Sequence, residues 1–297
     1  AAEILGRRLD VRFTVVCRPD SLDADLLDDL LKAGLECVDV GVESWVPRQL
    51  ALYGKGVSAA QNWAAVKTLE RLGIPYRLYV MPIDPYVTPE ELRQNLEAVA
   101  RIGLEHFHEN SFLTRLIPFK GTAIHERLRK EGVLGSSSGG IAAGRLGYRF
   151  LDRRMRRLYP QVRLLARGLH KASERLRRLF RAPFNEREVL AFGAEVKQAS
   201  TRAVLECCLD LLASDQPGPA AAGVRATLAE LDRATVAIAR AAERGRFERC
   251  APVAVRIGGR EIVFPRRAVR EATALLVDAM CRSVLSADPA PADSRAP

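Results

Sequence analysis

A carboxylate at Glu43 and an ammonium at Lys55 lie one connection apart, and Glu43 closes a short apolar run of Cys37, Val38, Val40 and Val42. A β-branched run of this kind, bounded by Gly and polar residues and broken once by Asp39, reads as a buried strand. In parallel α/β sheets, chemistry gathers at the carboxyl ends of strands. An acid and an amine placed there can hold a small zwitterionic ligand, or they can form a salt bridge at the strand rim. His106 and His108 alternate along a later strand candidate, with Asn110 beyond. That spacing suits a metal or a substrate contact, or two hydrogen-bonded interior histidines. Arg18 and Arg115 fall near strand ends, where they can meet an anionic substrate or a rim carboxylate. The six cysteines are scattered without any C-x-x-C spacing. This argues against a disulfide framework and a zinc site, and fits a reducing cytoplasm.

The elements that must position these residues recur. KAG-LECVDVGVE, RLG-IPYRLYVMP and RIG-LEHFHENSF each join a helix end, a glycine and a strand, the glycines being Gly34, Gly73 and Gly103. Glycine is the residue that most readily takes the left-handed conformation ending a helix. Helix starts are marked as clearly. Ser58 and Gln61 form a capping box, and Thr88, Pro89 and Glu91 supply a cap, a first-turn proline and its partner. Strands are expected at 11–17, 37–42, 76–83 and 105–114. Strands alternating with helices imply a parallel sheet with right-handed crossovers. Four βα units make half to two-thirds of a barrel, with strand 11–17 at an uncovered edge. Ala1–Leu9 reads as the end of a helix. The expectation is therefore a parent reading frame with at least two further βα units upstream.

The texture changes after 135–144, GSSSGGIAAG, a linker composition. Residues 145–181 hold thirteen Arg and Lys side chains, opposed only by Asp152 and Glu174, and this stretch accounts for the formal net charge of +10. Nucleic-acid contact, an anionic membrane surface and a solvated helical arm docking on an acidic partner are all consistent with it. The solvated arm is preferred, because few aromatics are interleaved for base stacking. Helices are expected at 186–213, 221–244 and 266–285, and a hairpin at 253–264 turning at Gly258-Gly259. The tail 287–297 is Ala/Pro-rich and reads as disordered. No run of apolar residues is long enough to span a membrane.

Residues 1–134 resemble the radical S-adenosylmethionine (radical SAM) proteins, in particular their cobalamin-linked branch. VCRPDSLDADLLDDLLKAGLECVDVGVES is similar to that family's third strand, helix and fourth strand, ending in G-x-E-S. IPYRLYVMPIDPYVTPEELRQNL resembles the fifth strand and its D-P-x-x-T-x-E-E-L loop. RLIPFKGTAIHERLRKEGVL resembles the P-x-x-G-T turn after the sixth strand. The resemblance implies strands three to six of a partial (β/α)₆ barrel, followed by a mainly helical domain. It implies S-adenosylmethionine bound to a 4Fe–4S cluster, a radical that abstracts hydrogen from a small-molecule substrate, and an electron donor; it admits cobalamin without deciding whether it is used. Glu43 and Ser44 would face the ribose or methionine part, Lys55 its carboxylate, and Asp84 the adenosyl end or the substrate.

One departure matters. The family's C-x-x-x-C-x-x-C motif is absent, and neither Cys17 nor Cys37 replaces it. The cluster ligands are expected upstream, and this chain alone is expected to be inactive. The other reading is a degenerate barrel with a basic helical module that binds nucleic acid.

Overall fold

The structure, a computed structural model, describes residues 1–107, 111–134, 148–179, 187–214, 217–243 and 254–263. It divides into two compact units: Ala1–Pro160 with Leu211–Pro217, and Gln161–Asp210 with Gly218–Pro297.

In the first unit, helix α1 (Ala2–Gly6) precedes β1 (Phe13–Cys17), α2 (Ala24–Lys32), β2 (Leu35–Glu43), α3 (Pro47–Leu52), α4 (Ala59–Arg71), β3 (Tyr76–Val80), α5 (Pro89–Ile102) and α6 (Ala123–Lys130). The strands form one parallel sheet in the order β1-β2-β3. Val16 aligns with Asp39, and Asp39 with Arg77. Alternation along β2 sends Val38, Val40 and Val42 to one face, where all three are 0% exposed. Leu78 and Val80 of β3 share that face. Helices α4 and α5 are amphipathic and bury Val66, Leu69, Leu92, Leu96 and Val99. The other sheet face carries Thr14, Val16, Cys37, Asp39, Gly41, Arg77 and Tyr79. It is open enough to leave Val16 77% exposed.

Local signals set the helix ends. Both capping boxes form, at Ser58 with Gln61 and at Thr88 with Glu91. Gly73 follows α4 at φ 65°, a left-handed value that costs glycine little.

The described residues of the fourth expected strand, 105–107 and 111–114, do not form a strand. Leu104–His106 and Ser111–Leu113 are single 3-10 turns. Their backbone groups bond locally, as in Phe107 N–H to the Leu104 carbonyl at 3.2 Å and Thr114 N–H to Ser111 at 2.9 Å. Only isolated parallel bridges remain, Leu78 with Phe107 and Ile83 with Arg115. Strand β3 stops at Val80 rather than 83, because Pro82 has no N–H to continue the ladder. The described residues thus form a three-stranded sheet in place of the four-stranded partial barrel expected.

Helix α7 (Arg153–Leu179) runs from the first unit's last residues into the second. There follow α8 (Arg187–Ala213), α9 (Pro217–Glu243) and the antiparallel pair β4 (Ala254–Ile257) and β5 (Arg260–Val263). The turn residues Gly258 and Gly259 have φ 56° and 73°, the left-handed pair that a type I′ turn requires. Helix α9 starts earlier than expected, since a proline fits a first helical turn. Ile257 and Ile262 of the hairpin are both 1% exposed. A Cβ added at Gly168 would lie 2.1 Å from Leu228 Cδ2, so α7 and α9 approach closely there. The 135–144 linker, the 266–285 helix and the 287–297 tail lie outside the described residues.

Candidate functional site

Strand β2 ends in a bulge. The register shifts between Gly41 and Glu43, and Glu43 takes φ 61°. A non-glycine residue in this region carries roughly 1–3 kcal/mol of strain and persists only where its surroundings enforce it. The bulge aims the Glu43 carboxylate at Lys55, Oε1 to Nζ 2.7 Å, with the two side chains 11% and 28% exposed. Gly41 has no side chain, which lets the pair sit directly against the strand. A Cβ there would stand 2.9 Å from Glu43 Oε1 and 3.6 Å from Lys55 Nζ. Arg18 approaches from the end of β1. It grips Asp20 through Nε and Nη2, both at 2.9 Å. The same Nη2 donates to the Lys55 carbonyl at 2.6 Å, so Arg18 positions the lysine.

Behind the pair lies a buried polar network. Asn62 of α4 donates to the carbonyls of Val42 and Ser44 at 2.9 and 2.8 Å. The Ser44 hydroxyl donates to Gln49 Oε1 at 2.6 Å and accepts from Val46 N–H at 2.9 Å. Asn95 receives the Trp45 N–H at 2.8 Å and donates to Gln49 Oε1, also at 2.8 Å. Gln49 Nε2 reaches Asp84 Oδ2 at 2.7 Å, Tyr53 OH reaches it at 3.1 Å, and the Tyr86 N–H meets Oδ1 at 2.7 Å. Burial pushes the Asp84 carboxyl above its ordinary range, with the Gln49 hydrogen bond and Arg48, at 3.7 Å, opposing. Burial, with Asp84 beside it, likewise raises Tyr53 far above the phenol range.

The structure thus separates the residues read from sequence. Glu43 and Lys55 are brought together. Ser44 and Asp84, expected to face a ligand, are 0% exposed and held by protein partners, so they brace the rim. His106 does not project from a strand: its ring stacks on Tyr76 at 4.1 Å and 5°. His108 lies outside the described residues. Arg115 pairs with Ile83 and buries Nη1 without a partner. Sequence reasoning missed Asn62, Gln49 and Asn95, and placed Gly41 only as the first residue of G-x-E-S. It also missed a cross-strand cluster on the open face. There Arg77 clasps Asp39 at 2.7 and 3.0 Å, with Tyr79 OH at 3.3 Å. The one available signal was Asp39, an acid inside an apolar run.

The residues present do not fit an iron–sulfur cluster. Among the described residues no three His, Cys, Asp or Glu side chains gather as a metal site. Cys17 and Cys37 are free, and burial pushes both thiols up, away from the thiolate that iron needs.

The described part of the arginine-rich stretch lies mostly along α7, where Arg154, Arg156 and Arg175 already have protein partners. Met155, Leu158, Val162, Leu165 and Leu169 are buried, while Arg157, Arg163, Arg167 and Lys171 are exposed. A charge run on the solvent side of an amphipathic helix needs no ligand to explain it. No helix among the described residues is long and apolar enough to cross a membrane.

Comparison with known proteins agrees with the sequence resemblance. Residues 1–99 match the family model of the radical SAM superfamily. An uncharacterized methyltransferase of Pyrococcus horikoshii is 27% identical over 118 residues, which are 40% of this chain and 25% of that protein. The cobalamin-dependent S-adenosylmethionine radical enzyme OxsB shares the fold, with TM-score 0.55 and 17% identity over 68% of this chain and 35% of that one. OxsB has also been solved with aqua-cobalamin and S-adenosylmethionine bound. The chain spans a quarter to about a third of the length of these relatives.

Proposed function

We propose that this chain is the part of a radical SAM enzyme that holds S-adenosylmethionine at the carboxyl rim of its sheet. The reaction proposed for the whole enzyme is reductive cleavage of S-adenosylmethionine to a 5′-deoxyadenosyl radical, which takes a hydrogen atom from a small organic substrate. Cluster ligation is assigned to residues outside this sequence, and the electron to a separate donor. Cobalamin is the second cofactor this reading admits, by likeness to OxsB.

The observation that carries the proposal is the Glu43–Lys55 pair, 2.7 Å apart beside the side-chain-free Gly41. Lys55 meets the methionine carboxylate. Glu43 accepts hydrogen bonds from the amine or the ribose hydroxyls. Arg18 fixes the Lys55 backbone, and Asn62, Ser44 and Gln49 hold the bulge so that ordering it costs nothing at binding. The resident ion pair opens for a ligand that satisfies both charges, a carboxylate for Lys55 and an amine or hydroxyls for Glu43.

Backbone-amide NMR during titration of the chain with S-adenosylmethionine tests this. The Gly41, Glu43 and Lys55 signals should move first and saturate together. Movement confined to other regions overturns the site.

A further inference from the structure

Among the described residues, Arg115 is the charged side chain with a buried donor, Nη1, left without an acceptor. Its backbone is fixed, because Arg115 bridges Ile83 and the next N–H, from Leu116, bonds to the Ile83 carbonyl at 2.7 Å. The neighbouring acid is engaged elsewhere: Asp84 accepts from Gln49, Tyr53 and Tyr86. Tyr148 is 5% exposed and donates its hydroxyl to the same Ile83 carbonyl at 3.1 Å. The guanidinium is close enough to oppose the upward push that burial gives the Tyr148 phenol.

A guanidinium N–H withdrawn from water without a partner is costly. Its planar fork is matched by a carboxylate or a phosphate, which accept two N–H groups side by side. The location fits a ligand. The Glu43 carbonyl takes the Met81 N–H at 2.7 Å from one side of the extended segment after β3, and Leu116 bonds to Ile83 on the other side. Arg115 bridges Ile83, three residues beyond Val80, which is the cross-strand partner of Glu43, so both residues lie at the same end of the sheet. A small molecule anchored at Arg115 would reach toward a ligand at Glu43.

We propose that Arg115 is an anion anchor that binds the carboxylate or phosphate of the substrate. This rests on the rim being the ligand site and goes further, naming the substrate class as an organic anion.

The test titrates the intact chain with inorganic phosphate and, separately, sodium acetate, following the Arg115 side-chain NMR signal. Saturable movement of that signal with at least one anion is expected, and the better binder tells phosphate from carboxylate. Arg115→Met should weaken that binding at least tenfold, and Arg115→Lys, which keeps the charge but loses the fork, should weaken it less. Glu43→Gln should leave anion binding unchanged while it weakens S-adenosylmethionine, so the two assignments fail separately. An Arg115 signal that neither anion moves overturns the proposal, even if Arg115→Met does not fold. Wild-type anion affinity in a folded Arg115→Met does the same.

Discussion

Asn62 holds Glu43 without touching its side chain. Its amide donates to the carbonyls of Val42 and Ser44, at 2.9 and 2.8 Å, the residues on either side of the strained position. The Val42 carbonyl also accepts the Ser44 N–H at 2.7 Å, but Ser44 is 0% exposed and its carbonyl loses its partner if the amide is lost. The strain at Glu43 and the brace across it belong to one device, which turns a strand end into an aimed carboxylate.

Asn62→Ala should therefore cost stability and aim together. Leaving buried acceptors unsatisfied costs about 1–3 kcal/mol. Urea unfolding should show a loss of that order, and S-adenosylmethionine affinity should drop as Glu43 relaxes. A variant as stable as wild type would mean that the brace does not hold the bulge.

Gly41 tests the space instead of the brace. Its position needs no special backbone, so a side chain is tolerated by the strand, but a Cβ would come 2.9 Å from Glu43 Oε1. Gly41→Val should reduce S-adenosylmethionine affinity at least tenfold, about 1.4 kcal/mol, with thermal stability held. Unchanged affinity would show that the ligand does not use this space.

Asp84 has a pH signature. Burial raises its carboxyl from the ordinary 3.8. The folded protein then holds a proton there that the unfolded chain releases. This contribution to stability is complete below the ordinary carboxylate value and is lost as pH rises through the raised one. Carbon-13 NMR should place the Asp84 midpoint above 3.8. A midpoint at or below it would mean that the Gln49 and Tyr53 hydrogen bonds outweigh burial.

Local features were legible in the sequence and tertiary ones were not. Ser58 with Gln61 and Thr88 with Glu91 announce their helices because a capping box is complete within four residues. The apolar run ending at Glu43 announces β2, since a strand buried by helices must be apolar on that side. The strand expected at 105–114 misleads because strand or turn is decided by a ladder partner, and among its described residues Phe107 finds only one bridge. The φ of Glu43 is invisible because glutamate has no left-handed preference of its own; Asn62, Ser44 and Gln49 impose it from elsewhere in the chain. For the same reason Ser44 and Asp84 could be placed near the rim, while their inward orientation could not.

The central claim is that Glu43 and Lys55 bind S-adenosylmethionine, and calorimetry on Glu43→Gln and Lys55→Met measures it most directly. Removing one partner of a charged contact in a water-poor site costs about 2–5 kcal/mol. Each variant should lose affinity on that scale while keeping the wild-type unfolding temperature, and the double variant should lose less than the sum, because both charges serve one ligand. Wild-type affinity in both folded single variants would contradict the account.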